Sequence, residues 1–171
     1  MANGRTLGVV AYVIAEPQEV TPQHCLESAA DLYASFGIEI ECKSIFPAPL
    51  EWFKRLQVGF CRLGNPLTSA HRLELFSLRP GADTLDAALY FVASTHPDFR
   101  GCAQHPDGRP GAVISAKATQ WTAAHEIGHI LGLSHSNYPN ALMAYSTKGI
   151  AGKPKCNPGE IEKIRVSKWL V

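Results

Sequence analysis

The chain has 171 residues, with 46% hydrophobic and 18% charged side chains, a composition typical of one globular domain that buries a core. Its 16 Lys and Arg against 15 Asp and Glu leave a formal net charge of +1, so no overall field favours nucleic acid or an anionic membrane surface. The longest apolar run, residues 7–15, has nine residues, whereas a membrane-spanning helix needs about 20. We therefore predict a single domain with no nucleic-acid and no membrane partner, and we expect a monomer.

The first apolar segment predicts a buried strand over residues 6–15, because it is rich in residues that favour β-structure. A short signal peptide is the alternative, with Arg5 before the apolar run and the small residues Val13 and Ala15 at a cleavage site. The strand is favoured, and the chain then carries no export signal of its own. Its compartment stays open between the cytoplasm and export by a route without a cleaved leader.

A helix is predicted to begin at Thr21-Pro22, where Thr supplies the N-cap and Pro occupies the first helical position, and to end at Gly37. Apolar residues recur between these signals at helical spacing, namely Leu26, Ala29, Ala30, Tyr33 and Phe36. Residues 38–43 alternate apolar with charged side chains, which predicts a strand with one covered face that includes Cys42. Strand, helix and strand together predict a right-handed βαβ unit.

Residues 46–83 are hard to assign, because four prolines interrupt a stretch that holds the large aromatic side chains Trp52, Phe53, Phe60 and Phe76. We expect a short helix near 49–58 and a helix or a strand near 67–78. The segment would serve as a lid, as a wall of a cleft, or as extra cover for the core.

The second half of the chain has clearer signals. Residues 85–94 are almost continuously apolar, which predicts a central strand. A loop with Pro-Asp-Gly turn chemistry follows over 96–111, then a short strand at 112–115 and a helix from about Thr119 to Leu131. Asn157-Pro158-Gly159-Glu160 begins the last helix, with Asn as the cap, Pro at the first position and Glu at the third.

The five cysteines form no Cys-x-x-Cys pair, so a thiolate zinc knuckle and a dithiol redox motif are disfavoured. Because the count is odd, at least one thiol is free or pairs with another molecule. We expect most of them to be buried and inert. The five are Cys25, Cys42, Cys61, Cys102 and Cys156.

The helix near 119–131 carries the chemistry, since it contains His125-Glu126-Ile127-Gly128-His129. The two histidines are four residues apart, so they lie on one helix face and can bind one zinc ion at about 2.0–2.1 Å. Glu126 can reach a water on that metal. Gly132 permits a positive φ and an abrupt helix end, so the chain can turn back and bring His135 to the metal. Three histidines leave a fourth position open, as in catalytic zinc sites, whereas the alternative is a set of merely hydrogen-bonded core histidines.

The pattern His125-Glu126-x-x-His129-x-x-Gly132-x-x-His135, with Met143 eight residues later, resembles that of the metzincin zinc endopeptidases. The stretch from His135 to Met143, with its Ser-x-x-Pro-x-Ala-Leu-Met sequence, is similar to the matrixin branch. The resemblance implies that His125, His129 and His135 bind zinc. It implies that Glu126 is the catalytic carboxylate and that Met143 is the Met-turn residue packed beneath the metal.

The order of elements resembles the same family. It implies an α+β fold, a metzincin-like catalytic domain with an α/β-type N-terminal subdomain, a twisted and mostly parallel sheet, an active-site helix, a Met-turn and a C-terminal helix. The chain would be one domain over 1–171, with an upper subdomain of about 1–134 that holds the sheet and the zinc helix. A lower subdomain of about 135–171 would hold the Met-turn and the final helix. The strand at 112–115 would lie at the sheet edge.

The sequence also departs from the matrixin pattern. Matrixins commonly carry a second, structural zinc, and His96 and Asp98 resemble the start of that site. The later histidines of that site are absent, and His96 and His105 each precede Pro as loop residues, so we expect one zinc ion. Tyr145 follows Met143 by two, as in the astacin and serralysin branches, where such a tyrosine approaches the zinc and can stabilise the transition state. A pocket-wall or core tyrosine is the alternative.

We therefore predict a zinc-dependent endopeptidase that acts on protein or peptide substrates through a zinc-bound water, with Glu126 as the proton carrier. An extended substrate would pair by strand addition with an edge strand that the resemblance places at Gly101, Cys102, Ala103 and Gln104. The loop from Met143 to about Lys155 would wall the pocket for the side chain that follows the cut. Two alternatives stay open: a zinc amidase on a non-protein or cell-wall peptide substrate, and a catalytically silent zinc-containing binding module.

Overall fold

The computed structural model describes residues 5–62 and 69–171. Its strands and helices alternate along the first part of the chain, and helices with irregular segments make up the last part. The strands are β1 (Arg5–Val13), β2 (Ile38–Pro47), β3 (Arg55–Gln57), β4 (Ala87–Val92), β5 (Ser94–His96), β6 (Gly101–Cys102) and β7 (Gly111–Ser115). The helices are α1 (Pro22–Ala34), α2 (Ala70–Ser77), α3 (Thr122–Ile130) and α4 (Pro158–Arg165), with 3-10 turns at Glu51–Phe53 and Thr147–Gly149.

A five-stranded sheet in the order β2-β1-β4-β7-β6 forms the centre of the fold. Its first four strands are parallel, and β6 pairs antiparallel with β7 at one edge. β3 and β5 form a separate two-stranded parallel sheet. The fold is therefore α+β with a mostly parallel sheet, as predicted.

The predicted βαβ unit is confirmed, because β1 and β2 pair in parallel across α1. Thr21 caps α1 by accepting a hydrogen bond from the backbone N–H of His24, with Pro22 as its first residue. Gly37 follows the helix with φ +74°, a conformation that glycine adopts without steric cost. The strand reading of the first apolar segment is also confirmed.

Apolar side chains cover both faces of the sheet. On one face, α1 and α3 pack against the inward residues of β1, β4 and β7, and the Tyr33 hydroxyl donates a hydrogen bond to the Ala124 carbonyl at 2.9 Å. This contact ties α1 to α3, the helix that holds the histidine pair. On the other face, Phe53, Leu56 and Phe76 cover the sheet. Because the sheet is covered on both sides, β4 is buried along its whole length.

Residues 46–83 differ in detail from the expectation. The helix expected near 49–58 is a single 3-10 turn at Glu51–Phe53 followed by β3, and the second element is helix α2. Phe53 and Phe76 belong to the second core cluster, so the described part of the segment acts as core cover. Cys61 and Arg62 also line the cleft described below, which makes the end of that part a cleft wall.

Three placements within strands were wrong. The strand at 112–115 lies inside the sheet, because the two residues of β6 form the edge beyond it. Cys42 is exposed, because the alternation of buried and exposed residues in β2 ends at Ile40, although Cys42 still pairs in register with Val9. His96 is the last residue of β5 and lies outside the loop in which it was expected.

The expectation that most of the cysteines are buried and inert was wrong, whereas the expectation of at least one free thiol is confirmed. Cys61 and Cys102 form a disulfide, which joins the chain after β3 to the edge strand β6. Cys25 is a buried free thiol, whereas Cys42 is exposed and Cys156 is half-buried. The side chain of Arg72 lies behind the disulfide, with Nη1 2.9 Å from the sulfur of Cys102. The long separation in sequence explains why no local spacing revealed the pair.

The last helix begins as predicted. Asn157 accepts a hydrogen bond from the Glu160 N–H at 2.9 Å, and the Glu160 carboxylate accepts one from the Asn157 N–H at 2.8 Å, which completes a capping box.

Within residues 5–62 and 69–171, no helix combines the length and the apolar character that a bilayer crossing requires. The division into subdomains near residue 134 stays a prediction.

Candidate metal centre

Helix α3 places the first two histidines of the motif. His125 and His129 lie one turn apart on the same face, with ring centroids 4.7 Å apart. Thr122, Ala123 and Ala124 before them are buried, so the helix is fixed against the sheet where the imidazoles project. The site is thus held by a rigid element of the core.

The third histidine arrives through a tight turn. Gly132 has φ +104°, which lets the chain leave the helix and reverse, and the Leu133 N–H donates to the Gly128 carbonyl at 2.8 Å. His135 then lies with its ring centroid 4.7 Å from that of His129 and 5.3 Å from that of His125. A side chain at Gly132 would be strained in this conformation.

The three imidazoles fit a single metal ion. One ligand atom from each residue lies within 4.8 Å of the others, and Nε2 of His129 is 3.2 Å from Nε2 of His135. Two nitrogens bound tetrahedrally at the usual zinc distance lie about 3.3 Å apart, close to that value. Nδ1 of His125 and Nδ1 of His129 each lie 2.8 Å from a backbone carbonyl, of Leu142 and Leu133 respectively. Donation of both Nδ1–H groups leaves the Nε2 lone pairs free for a metal.

The environment favours the neutral, ligating form of each ring. Burial is the main cause that lowers the pKa of His125 to about 4 and that of His129 to about 3, and the nearby imidazoles contribute in the same direction. Burial also lowers the pKa of His135. Metal ligation requires deprotonated imidazole, so these shifts agree with the geometry.

Glu126 projects from α3 into the space beside the histidines and is 4% exposed. The backbone of Gly101 in β6 passes so close that a Cβ there would lie 2.3 Å from Oε1 of Glu126. Burial raises the pKa of Glu126 to about 8. A bound dication would oppose this shift by favouring the carboxylate. A carboxyl group of this kind can hold or release a proton near neutral pH.

Met143 lies beneath the histidine helix and is fully buried. A Cβ on Gly128 would lie 2.5 Å from its sulfur, so the missing side chain of Gly128 is what allows the two segments to approach. The Ser136 N–H donates to the Met143 carbonyl at 2.8 Å, which holds the turn against the residue after His135.

Tyr145 is 76% exposed, so it is not a core residue. Its ring centroid lies 4.4 Å from that of His135, at the rim of the site. The structure therefore places it beside the third histidine.

The four residues expected at the substrate edge divide into two pairs. Gly101 and Cys102 form the edge strand β6, whereas Ala103 and Gln104 lie beyond it. The side chains of Cys102, Ala103 and Gln104 are all buried, and Gly101 and Ala103 line the cleft. Gln104 is directed away from a substrate, because its side-chain oxygen accepts a hydrogen bond from Arg72 at 2.7 Å. The part of this edge that has regular strand structure is two residues long.

A cleft of about 520 Å³ runs beside β6 and contains the histidines and Glu126. Ser146 and Thr147 belong to the loop after Met143 that was expected to wall the pocket, whereas sequence reasoning missed Arg100 and Thr122 among the lining residues. No local signal marks them, because they meet only when β6 comes to lie opposite the loop after Met143.

Together the fold and the site define a metzincin zinc metallopeptidase. They combine a mostly parallel sheet, a helix with two histidines, a third histidine after a glycine turn, and a methionine turn below them. The matrixin family, peptidase family M10, matches residues 65–164, which is more than half of the chain. The chain therefore belongs to the matrixin family.

Individual relatives agree with this assignment. Human matrix metalloproteinase-19 is 46% identical over 43 residues, which are 25% of this chain and 8% of that protein. The fold is similar to that of metalloproteinase-II from Bacteroides fragilis, with a TM-score of 0.66, 15% identity, and coverage of 95% of this chain and 53% of that one. It is also similar to archaemetzincin from Methanopyrus kandleri, with a TM-score of 0.55, 14% identity, and coverage of 95% and 87%.

Proposed function

We propose that the chain is an endopeptidase with one catalytic zinc ion, held by His125, His129 and His135. The convergence of three neutral imidazoles on one point, with no fourth protein ligand in that group among the described residues, is the observation that carries the proposal. All the residues concerned come from a single chain, so the proposed active unit is a monomer acting on a protein or peptide.

A zinc ion held by the three histidines would supply a Lewis acid, which would bring the pKa of a bound water to about 7 and polarise the scissile carbonyl. Glu126 is proposed to take the proton from the attacking water and to pass it to the leaving amine. Its burial, and its position one residue from a ligand, support this role. General acid–base catalysis of this kind contributes typically about 10²–10⁴-fold.

The surrounding residues have supporting roles in this proposal. Met143 fixes the floor beneath α3, and Gly132 directs His135 into place. Tyr145, at the rim beside His135, would donate its hydroxyl to the developing oxyanion. β6 offers its outer edge to an extended substrate backbone, which supports binding by strand addition at Gly101 and Cys102.

The cleft would lie between an upper subdomain of about 1–134 and a lower one of about 135–171. Its lining supports this division, because β6 and α3 face Tyr145 and the Ser146–Thr147 segment across it.

The test is the Glu126→Gln variant, with Glu162→Gln as the control because Glu162 is exposed on α4. We expect both variants to retain about one zinc per chain by mass spectrometry of the native protein. Glu126→Gln should lose cleavage of a mixed peptide library by about 10²-fold or more, whereas Glu162→Gln should not. A zinc-loaded Glu126→Gln that cleaves at the wild-type rate would contradict the assigned role, and a wild type without internal cuts would contradict endopeptidase action.

A further inference from the structure

We propose that Arg100 selects substrates that carry a carboxylate on the residue following the cleaved bond. The proposal rests on the proposed function, because it assigns substrate preference to the same cleft. It follows from the contacts of Arg100, from the hydroxyl groups around it, and from the position of these groups relative to Glu126.

Arg100 directly precedes the edge strand β6 and lines the cleft. Its backbone is fixed, since its carbonyl accepts a hydrogen bond from the Ser115 N–H at 2.8 Å. Its side chain crosses toward the loop after Met143, where Nη1 donates to the Ser146 hydroxyl oxygen at 3.2 Å. Nε is buried, and it has no hydrogen-bond partner among the described residues. A guanidinium has five N–H donors, so most of its capacity is unused.

Within residues 5–62 and 69–171, none of the ion pairs includes Arg100. The acids that line the same cleft are Asp98 and Glu126. Asp98 pairs with Lys117, and Glu126 lies against the backbone of Gly101. Partly buried arginines normally meet a carboxylate or a phosphate in bidentate geometry. The missing anion is therefore best supplied by the substrate.

The neighbouring groups suit a carboxylate. The Ser146 oxygen already accepts from Arg100 and from the Lys148 N–H at 3.3 Å, which leaves its own proton free to donate to an anion. Thr122 and Thr147 place their hydroxyl oxygens 3.1 Å apart in the same part of the cleft. The groups around Arg100 on this side are thus hydroxyl groups, and Arg62 is a second cation of the cleft lining.

The position along the substrate follows from α3. Thr122 precedes Glu126 by four residues, so it lies on the same helix face, on the side away from His129. Glu126 passes its proton to the leaving amine, which belongs to the residue after the cut. That residue therefore lies nearest to Thr122, Thr147 and Arg100, and its carboxylate comes within reach of the guanidinium.

Two substrates offer a carboxylate at this point. One is an internal Asp or Glu directly after the cut, which agrees with endopeptidase action. The other is a free chain terminus when the residue after the cut is the last, and a preference for it would make the enzyme a carboxypeptidase instead. Both present the same planar anion to the guanidinium, and amidated peptides distinguish them.

The experiment compares quenched fluorescent peptides that differ only in the residue after the cut, which is Asp, Asn, Leu or Lys, all with an amidated C-terminus. A second pair ends directly after that residue, with Leu as a free acid or as an amide. We expect the carboxylate member of at least one matched pair to have a kcat/KM about 10–100-fold higher, the usual range for a charge-assisted hydrogen bond.

The variants are Arg100→Gln, Arg100→Glu and Ser146→Ala, with Arg109→Gln as the matched control, because Arg109 is exposed and lies outside the cleft lining. Arg100→Gln should bring the Asp-to-Asn ratio, or the acid-to-amide ratio, close to one, and Arg100→Glu should favour Lys. Ser146→Ala should lower the ratio by about threefold, and Arg109→Gln should leave it unchanged. The ratio of the wild type tests the inference even if a variant does not fold.

Equal cleavage of both members of each pair, or a ratio that survives Arg100→Gln, would overturn the inference and leave the proposed function standing. If the wild type cleaves no peptide, the proposed function fails, and calorimetric binding to zinc-loaded Glu126→Gln then decides the inference. Tighter binding of a carboxylate peptide that is lost with Arg100→Gln added would support it. Equal binding of the matched peptides would overturn it.

Discussion

Gly101→Ala is expected to impair catalysis while leaving the metal site intact. A Cβ on Gly101 would lie 2.3 Å from Oε1, 2.6 Å from Cδ and 2.8 Å from Cγ of Glu126. A normal van der Waals separation needs about 1 Å more. The atoms in conflict belong to the far half of a glutamate side chain, so the carboxylate moves before the backbone of β6 does.

The magnitude follows from this displacement. A misplacement of about 1 Å in a catalytic constellation can cost about 10²-fold, so kcat/KM on a quenched fluorescent peptide should fall by about that factor. The cost in folding stability should be about 1–3 kcal/mol, the usual range for an added methyl in a packed site. Zinc content should stay near one per chain, because the conflict does not involve a histidine.

The control is Gly149→Ala, since a Cβ on Gly149 meets open space and Gly149 is not one of the residues that line the cleft. It should retain wild-type turnover, zinc and melting temperature. If Gly101→Ala retains both its zinc and a kcat/KM within about twofold of the wild type, the inference that this backbone positions Glu126 for its proposed catalytic role is refuted.

His135→Ala should strongly reduce the zinc that the protein retains on dialysis, because two ligands bind far more weakly than three. Zinc content is measured by mass spectrometry of the native protein, and full occupancy in the variant would contradict the ligand assignment. In metal-free protein, burial raises the pKa of Glu126 from 4.5 in the unfolded chain to about 8 in the folded chain. The folded state therefore holds this proton more tightly. The resulting contribution to the unfolding free energy is complete below about pH 4.5 and is lost as the pH rises through about 8. Urea titrations of Glu126→Gln and the wild type, both with chelator, should therefore show the unfolding free energy of the variant rising relative to the wild type between pH 5 and pH 9, by up to roughly 5 kcal/mol. A difference between the two proteins that does not change with pH would contradict this burial cost. Replacing Cys61 and Cys102 together by Ala should lower the unfolding free energy by about 4 kcal/mol, since the bridge closes a loop with a sequence separation of 41, and an unchanged urea midpoint would contradict the linkage.

Features with local causes were predictable from the sequence. The Thr21-Pro22 start of α1 and the capping box at Asn157 involve residues within three positions of one another, and both occur as predicted. The spacing of His125, His129 and His135 likewise depends only on one helix and one turn, so their juxtaposition could be anticipated. Their binding of zinc stays a prediction.

Features that depend on distant pairings were not predictable. The strand at 112–115 was placed at the sheet edge because the sequence does not reveal that β6 pairs beyond it. The Cys61–Cys102 bridge joins segments with a sequence separation of 41. Arg100 has no pattern around it, and its importance depends on Ser146, which is 46 positions away in sequence. Only the folded chain brings these residues together.

The shortness of β6 limits how a peptide can be recognised. An extended chain laid along two residues can form only a couple of main-chain hydrogen bonds, each of modest net worth in water. Discrimination would therefore depend on one or two anchoring side chains rather than on a long register of backbone contacts. Oligopeptides of a few residues should then be turned over nearly as well as whole unfolded proteins that present the same anchor.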